Sequence, residues 1–415
     1  MPSAAGGPKP PDGCDRMSGP AAGREQLRRN NMSRLLNRVH VSGPTSRATL
    51  TRETGLNRST IGDLVAELEQ LGLVTEGDPI VGGRSGRPSH MVVPRSENAT
   101  AAVDLGVDRI AVALVGLGGE VLERRERRHH RGEHDVRHVV ESLVQMVTDV
   151  LTGRPDVRCL GLGASVPGAV RARDGMVRFA PNLGWVDEPF TEMLRERLDL
   201  PVTTGNDANL GALAEHARGA AQGFSEVAYV SGSVGIGGGF LVNGRPLEGA
   251  SGYAGEIGHL LVDSNGPVCR CGNIGCWEMK VGENQILTQS GRLPGGGPEA
   301  VAEVIAAAAS GEERAGAVLS GVAEWMGVGL RALINIFNPE VVVLGGSLAE
   351  VWQAESEHVT EVLGRTRLIS PHGEVTIRPA ALGQDSSLLG AAEQAFAPLL
   401  ADPQGVLASG GRWAG

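Results

Sequence analysis

The 415-residue chain has few aromatic residues, only 3% of its length against 41% hydrophobic residues in total. We therefore expect a core built from Val, Leu, Ile and Ala. No apolar run reaches the roughly 20 residues of a membrane-spanning helix, so no membrane partner is expected. The first 23 residues are rich in Gly, Pro, Ala and Ser and lack the apolar block of a signal peptide. These features predict a cytoplasmic protein with a disordered leader over residues 1–24.

Cysteine is also scarce, with five in the chain. Two of them, Cys14 and Cys159, stand apart and are expected to be free thiols. The other three lie within eight residues and follow a histidine: His259, Cys269, Cys271 and Cys276. One imidazole and three thiolates suit a closed, four-coordinate structural zinc site. The alternatives are a disulfide pair and no metal at all; nothing in the sequence indicates the oxidising compartment that a disulfide needs.

The formal net charge of −10 is unevenly distributed along the chain. Residues 1–23 carry no net charge. Residues 24–95 hold eleven arginines and seven acidic residues, or +4, which leaves −14 for residues 96–415. A basic segment before an acidic body suggests nucleic-acid binding confined to the first part. Charge alone does not distinguish this from an ordinary solvated surface.

The basic segment predicts three short helices between Asn31 and Val74. Ser46 can cap the second helix, which Gly55 ends, and Asn57 can cap the third. In the third helix, apolar residues recur at helical spacing: Ile61, Leu64, Val65, Leu68 and Leu71. The short T-G-L-N turn between the last two helices fits a helix-turn-helix.

In a helix-turn-helix the recognition helix enters the major groove by its N-terminal end. Three residues stand there in this chain: Arg58, Ser59 and Thr60. An arginine can read guanine edges, and hydroxyls suit phosphate or base contacts. A strand from Leu73 and a hairpin wing follow, and Arg84 and Arg87 in its Gly-rich loop suit a narrow minor groove. The alternative for this loop is a plain surface turn.

Beyond residue 97 short β-prone runs alternate with helical segments. An amphipathic helix is predicted over 136–151, and strands are predicted at 101–105, 110–115, 160–165, 227–231 and 341–344. Strands that alternate with helices predict an α/β architecture with largely buried sheets. The length of this region suggests two lobes with a cleft between them.

Six motifs in this region carry a resemblance to a known family. They are G-A-S-V-P-G from Gly163, P-N-L-G-W from Pro181, G-N-D-A-N from Gly205, G-I-G-G-G from Gly235, E-I-G-H from Glu256, and the cysteine cluster that ends at Glu278. In this order they resemble the ROK family of repressors and sugar kinases. The resemblance implies an actin-like (ribonuclease H-like) α/β fold with two lobes around a ligand cleft and a zinc-stapled loop.

The resemblance also sets the predicted domain limits. A winged helix-turn-helix is expected over residues 25–97, followed by the ROK domain over 98–400. Its cleft is expected near 205–209, and residues 401–415 are expected to form a flexible tail.

The resemblance maps a sugar site onto six polar residues: Asn182, Asn206, Asp207, Glu256, His259 and Glu278. Each sugar hydroxyl both donates and accepts hydrogen bonds, and carboxylates, amides and an imidazole satisfy both roles. His259 is expected to bind zinc through one ring nitrogen and to meet the sugar with the other. Taken singly, each residue would more often be a cap or a surface group, so the prediction depends on their combination.

The kinases of the family hold ATP phosphates in two loops, typically D-x-G-G-T and G-T-G-I-G-G-G. Here these loops read D-L-G-V-D and S-V-G-I-G-G-G. Val107 replaces a glycine that allows close approach of phosphate, Asp108 replaces a hydroxyl with a negative charge, and Val234 replaces a second hydroxyl. We therefore expect no ATP binding and no catalytic residue. The alternative is an active sugar kinase fused to a DNA-binding domain, with Asp207 as its catalytic base.

Together these patterns predict a sugar-responsive transcriptional regulator of carbohydrate metabolism, a repressor that a monosaccharide inducer releases from operator DNA. Helix-turn-helix proteins read two-fold symmetric half-sites, which favours a homodimer or homotetramer. A regulator that senses a protein partner or a phosphosugar is a third interpretation.

Overall fold

The computed structural model describes residues 20–77, 89–128, 135–365 and 375–408. The N-terminal module contains α1 (Pro20–Ser42), β1 (Thr45–Ser46), α2 (Arg47–Thr54), α3 (Arg58–Gln70), β2 (Val74–Gly77) and β3 (Met91–Pro94). Its three strands form one sheet in the order β1-β3-β2. This is the arrangement of a winged helix. The predicted wing loop with Arg84 and Arg87 lies outside the described residues.

The predicted helix ends of the module are confirmed. The side chain of Ser46 accepts a hydrogen bond from the Thr49 amide and so caps α2, and Gly55 ends that helix in the left-handed conformation at φ 72°. Asn57 caps α3 through the Thr60 amide. The inner face of α3 is fully buried, and it consists of residues at helical spacing: Ile61, Leu64, Val65 and Leu68.

The first lobe of the body is an α/β unit. It contains β4 (Asn98–Leu105), β5 (Arg109–Gly116), β6 (Val121–Arg128), α4 (Val136–Gly153), β7 (Arg158–Val166), β8 (Ala169–Val170), β9 (Val177–Ala180), β10 (Trp185–Glu188), α5 (Phe190–Leu198) and β11 (Val202–Asn206). The main sheet has the order β11-β7-β4-β5-β6, and β8, β9 and β10 form a small second sheet. The central strands β4 and β7 are almost entirely buried, as their apolar runs predict.

Helix α6 (Asp207–Arg218) leads into the second lobe. That lobe contains β12 (Val227–Gly232), β13 (Ile236–Val242), β14 (Arg245–Pro246), α7 (Glu278–Val281), α8 (Glu283–Gln289), α9 (Gly297–Ala309), α10 (Glu313–Phe337), β15 (Val341–Gly346), α11 (Ser347–Gly364) and β16 (Thr376–Pro379). Its sheet order is β14-β13-β12-β15-β16. In chain order both main sheets therefore run 3-2-1-4-5, and this repeat confirms the predicted two-lobed α/β fold.

Two helices join the lobes. Helix α6 packs on the sheet of the second lobe through small apolar residues such as Ala208 and Ala212, whereas α12 (Ser386–Ala401) packs on the first-lobe sheet. The two helices also cross each other closely: a Cβ atom added at Gly390 of α12 would collide with the carbonyl oxygen of Leu210 in α6. The lobes therefore meet at a backbone-to-backbone contact.

Helix α10 meets the length and composition criteria for a membrane span, with a mean hydropathy of 1.4 over its most apolar stretch. The prediction that no apolar segment reaches membrane-spanning length is therefore corrected for α10. However, 56% of the stretch is buried inside the second lobe, in a core that includes Val322, Met326 and Leu330. A buried core helix of a globular domain passes the same test, so α10 is weak evidence for a membrane.

The module and the body share one apolar core. Leu35, Leu36 and Val39 of α1 belong to the same buried cluster as Phe396 of α12 and Val406 of α13 (Pro403–Ala408). The predicted limits of the leader and of the tail differ from the structure. Helix α1 begins at Pro20, inside the predicted leader, and α13 lies inside the predicted flexible tail, where its Val406 joins the buried cluster. The rest of the leader and of the tail lies outside the described residues.

Gly390→Ala tests the contact between the lobes. The new methyl group meets backbone, which cannot rotate away, so we expect the free energy of unfolding to fall by about 1–3 kcal/mol or more. Gly321→Ala is the matched control, since a Cβ there meets nothing within 4 Å inside α10 and should stabilise by about 0.5–1 kcal/mol. Urea unfolding measures both. Equal stability of the two variants would contradict the close contact.

Candidate functional site

A cavity of about 920 Å³ lies between the lobes. Its lining includes the first loop, with Val107 and Asp108, and Val234 of the second loop. Its ionisable lining is mainly acidic, with seven carboxylates and two arginines: Asp104, Asp108, Glu126, Asp207, Glu283, Glu299, Glu350, Arg109 and Arg128. One of the arginines, Arg109, donates to Asp104 at 3.2 Å and to the carbonyl oxygen of Gln384 at 3.0 Å. This side of the cleft is therefore electrostatically unfavourable to a polyphosphate.

Asn206 and Asp207 stand where β11 ends and α6 begins. The Asn206 Oδ1 accepts hydrogen bonds from the amides of Ala208 and Asn209, at 2.9 and 3.1 Å, and so caps α6. Its amide nitrogen donates to Asp207 Oδ1 at 3.0 Å. The structural role of Asn206 as a cap is thus established by geometry, and it fixes the direction of the Asp207 carboxylate at the floor of the cleft.

Asp207 lies near two other carboxylates at this point, Asp104 and Glu256. Burial, and then the charges of Asp104 and Glu256, raise the pKa of Asp207 to about 7. Burial also raises the pKa of Asp104, although Ser387 and Arg109 oppose the rise. At neutral pH the Asp207 carboxyl is therefore divided between its protonated and ionised forms. Such a group can either donate to a hydroxyl or accept from one.

The predicted metal ligands come together. One donor atom from each of His259, Cys269, Cys271 and Cys276 lies within 4.8 Å of all the others. The sulfurs of Cys271 and Cys276 are 3.6 Å apart, and the Cys269 sulfur is 3.7 Å from His259 Nδ1. Ligands at about 2.0–2.3 Å from a tetrahedral zinc lie roughly 3.3–3.8 Å from each other. The cluster can therefore hold a metal ion of that geometry.

Glu278 links this cluster to the cleft. Its Oε1 accepts from the Cys269 sulfur at 2.8 Å and lies 3.6 Å from His259 Nδ1. Its Oε2 lies against Gly235, where any Cβ would come within 2.7 Å of it. Glu256 lies beside His259 and Glu278 with much of its surface exposed, and desolvation by the surrounding protein raises its pKa. The predicted residues of the second lobe thus form one polar group around His259.

Asn182 reaches the same group by a route that the sequence did not indicate. Its Oδ1 accepts from Arg270 Nη1 at 2.9 Å. Arg270 stands between two cysteines of the cluster, so this contact joins the second-lobe loop to a first-lobe loop across the cleft. A cation between two metal ligands was the available signal for Arg270. Asp104 begins the D-L-G-V-D loop, but only the folded chain shows that it lies near Asp207.

The predicted DNA-contacting residues of α3 occupy its first turn. Arg58 and Ser59 are exposed, and Thr60 is half-buried. The Ser59 hydroxyl donates to Asn57 Oδ1 at 2.7 Å, and the Thr60 amide donates to the same atom at 2.8 Å. The Arg58 side chain therefore projects from the end of the helix that enters DNA in such modules.

A winged helix joined to a two-lobed, actin-like domain with a polar cleft defines a class of ligand-binding proteins with a DNA-binding module. The comparison with protein families matches residues 100–397 to the ROK family. The chain is 32% identical over 374 residues to a putative xylose repressor of Caldicellulosiruptor sp. (strain Rt8B.4), a match that covers 86% of this chain and 93% of the relative.

Two solved structures complete the comparison. A ROK family transcriptional regulator, described as a homolog of the E. coli MLC protein, has a TM-score of 0.74 and 25% identity and covers 90% of this chain and 98% of its own. A ROK family glucokinase from Streptomyces griseus, in complex with glucose and AMPPNP, has a TM-score of 0.63 and 26% identity over 72% of this chain and 99% of its own.

A match over 90% of the chain has to include most of the N-terminal module, whereas the glucokinase match is no longer than the body alone. The chain therefore belongs to the ROK family, in the branch of transcriptional regulators with an N-terminal winged helix-turn-helix.

Asp207→Asn tests the titration at the cleft floor. The folded chain keeps a proton between the ordinary pKa of 3.8 and about 7, whereas the unfolded chain has released it. The free energy of unfolding therefore falls as pH rises through that window and stays level above it. The variant should lack this fall. The full pKa shift of Asp207 corresponds to about 4 kcal/mol. Because water enters the cleft and screens the charge, we expect the variant to be only about 2 kcal/mol more stable than wild type near pH 7.5.

Urea unfolding at several pH values between about 5 and 7.5 measures the difference. Asp149→Asn, on the exposed face of α4, is the control and should follow the wild-type profile. Parallel profiles for wild type and Asp207→Asn would mean that this carboxyl does not titrate near neutrality.

Proposed function

We propose that this chain is a repressor that binds operator DNA through α3 and the wing and is released by a monosaccharide, with D-xylose as the first candidate. One observation carries the proposal: the chain joins an exposed recognition helix to a cleft whose polar sugar side is complete and whose nucleotide side is acidic. The name of the xylose repressor, 32% identical over most of its length, supports the choice of sugar.

The proposed DNA contacts build on the exposed first turn of α3 and on the arginines of the wing sequence. Arg58 reads a base edge in the major groove, and Ser59 and Thr60 contact the phosphates or bases beside it. Arg84 and Arg87 enter the adjacent minor groove from the wing loop. Two modules of a homodimer, or of a homotetramer built from dimers, read two half-sites at a fixed spacing.

The sugar lies between Asn182 of the first lobe and the second-lobe group of Glu256, His259 and Glu278. Asp207 meets a hydroxyl from the cleft floor, and Asn206 holds Asp207 in place while it caps α6. Arg270 now contacts Asn182, so a bound sugar would exchange this contact for its own hydroxyls. Because the sugar touches both lobes, it favours the closed cleft through its higher affinity for that state.

The cluster of one histidine and three cysteines holds a structural zinc ion. The donor spacing fits a tetrahedral ion, and all four positions are filled by protein ligands, which leaves no open position for catalysis. Zinc fixes the loop that carries Arg270, and it leaves the second ring nitrogen of His259 free to face the sugar.

The nucleotide side does not serve ATP. Besides Asp207, six carboxylates line the cavity, against two arginines, and Asp108 and Val234 stand where the family's kinases have hydroxyls. A triphosphate placed here would be repelled and would lack the donors that hold its phosphates. In this proposal Asp207 binds the sugar and is not a catalytic base. Sugar kinase activity is the second candidate function, because the carboxylate that would serve as its base is present.

Cys269→Ser tests the zinc site. The hydroxyl is a poor zinc ligand, so we expect loss of about one equivalent of zinc per chain and a fall in D-xylose affinity of about tenfold or more. Operator binding, carried by the separate module, should stay within about threefold of wild type. Elemental analysis and calorimetry measure these quantities. Cys159→Ser, outside the cluster, is the control and should keep its zinc. A variant that loses zinc but binds sugar normally would remove the link between the metal and the site.

The release of DNA by sugar is tested on the full-length chain with a duplex selected from a random library. Saturating D-xylose is expected to weaken binding to this duplex by about 5- to 150-fold at fixed salt, the usual range of allosteric coupling. Fluorescence anisotropy measures the change. D-glucose serves as the comparison sugar.

Two results would contradict this function. Unchanged operator affinity with both sugars would exclude regulation by these sugars. Consumption of ATP in a coupled assay with D-xylose or D-glucose would establish the kinase alternative.

A further inference from the structure

A buried polar junction lies where the DNA-binding module rests on the body. His40, near the end of α1, is fully buried, and its Nε2 is 2.9 Å from Glu393 Oε2 of α12. The Gly118 amide donates to the other ring nitrogen of His40 at 3.1 Å. The same Nε2 lies 2.8 Å from Arg218 Nη2, so this ring nitrogen stands between a carboxylate and a guanidinium.

Arg218, the last residue of α6, completes the junction. Its Nε donates to Glu393 Oε1 at 2.6 Å. Its Nη1 donates to two carbonyl oxygens, of Gly118 at 2.9 Å and of His40 at 3.2 Å. The guanidinium lies flat on Gly119, where any Cβ would collide with it. One side chain thus touches the module, the first lobe and α12 at the same time.

The charges of the junction are balanced. Burial alone would raise the pKa of Glu393, but the interactions with His40 and Arg218 outweigh it and lower the pKa to about 2. Glu393 is therefore ionised at neutral pH. Loss of a partner would leave its charge buried and unpaired, which is costly. The junction consequently tolerates few alternative arrangements of its side chains.

Helix α6 connects this junction to the cleft. It begins at Asp207 in the proposed sugar site and ends at Arg218, 12 residues and about 18 Å away. Since α6 packs on the second-lobe sheet while Glu393 and Gly118 belong to elements of the first lobe, the contacts of Arg218 cross the boundary between the lobes.

We propose that helix α6 is the element that transmits sugar binding to the DNA-binding module, through the contacts of Arg218 with His40, Gly118 and Glu393. The inference rests on the proposed function and adds a route to it. When the cleft closes on a sugar, α6 moves with the second lobe and turns about its tight contact with Gly390. Arg218 is then displaced from partners that stay with the first lobe, and α1 follows through His40.

Movement can pass along this route because α6 is closely packed against α12. The contact between Leu210 and Gly390 leaves no room for a side chain, so α6 cannot slide freely past α12. Leu210 is the fourth residue of α6 and Arg218 the twelfth, which gives a lever of about 12 Å beyond the contact. A small shift at Asp207 therefore becomes a shift at the junction.

The test is the coupling ratio, defined as the operator dissociation constant with saturating D-xylose divided by that without it. In Arg218→Met the ratio is expected to fall from the wild-type value to within about twofold of one. D-xylose affinity without DNA, and operator affinity without sugar, should stay within about threefold of wild type. A merely structural residue would change these affinities and leave the ratio intact.

His40→Gln is the second variant, because it keeps a side-chain amide that can donate to Glu393. If Arg218→Met does not fold, the coupling ratio is measured in His40→Gln instead. The matched control is Asn37→Ala, one turn earlier in α1. Its amide donates to the Leu400 carbonyl at 3.0 Å, a contact between module and body that bypasses α6. Asn37→Ala should keep the wild-type ratio.

The outcomes separate the two proposals. If wild type does not respond to D-xylose, the proposed function fails and this route fails with it. If wild type responds and the folded junction variants keep its ratio, the route alone is wrong. The route is also wrong if Asn37→Ala lowers the ratio as far as they do, or if the variants lose operator or sugar binding outright.

Discussion

The close crossing of α6 and α12 is the constraint on which the rest of the structure depends. Each helix covers the sheet of a different lobe, and they meet where Gly390 lies against the backbone of Leu210. This contact sets the distance between the lobes and so the width of the cleft. Helix α6 carries Asp207 at one end and Arg218 at the other, so it runs from the floor of the cleft to the base of the DNA-binding module.

The cleft illustrates how one fold serves two functions through its charges. Its floor keeps Asp207 among other carboxylates, with a pKa near 7 that suits hydrogen bonding to a hydroxyl. The other side of the same cavity carries an acidic lining that disfavours phosphates. The fold alone does not separate a sensor from a kinase, because both need the same two lobes. The proposal of a sensor therefore depends on a few side chains of the phosphate loops.

Much of the fold could be predicted from the sequence because its signals are local. The caps Ser46 and Asn57, the Gly55 stop and the buried face of α3 depend on residues a few positions apart. The metal cluster was predictable for the same reason, since most of its ligands lie within eight residues. The helix at 403–408 was not predicted, because the buried cluster that it joins combines residues from opposite ends of the chain.

The amino-acid sequence therefore determined the elements, the family and the chemical character of the site, all of which follow from short spacings and residue types. It could not determine which polar groups face each other across long separations. The contact of Arg270 with Asn182 and the junction of His40, Arg218 and Glu393 arise only when the chain is folded. These contacts are stable because their polar groups are aligned with one another in the folded chain. The alignment depends on how the lobes pack, so no periodic pattern in the sequence predicts it.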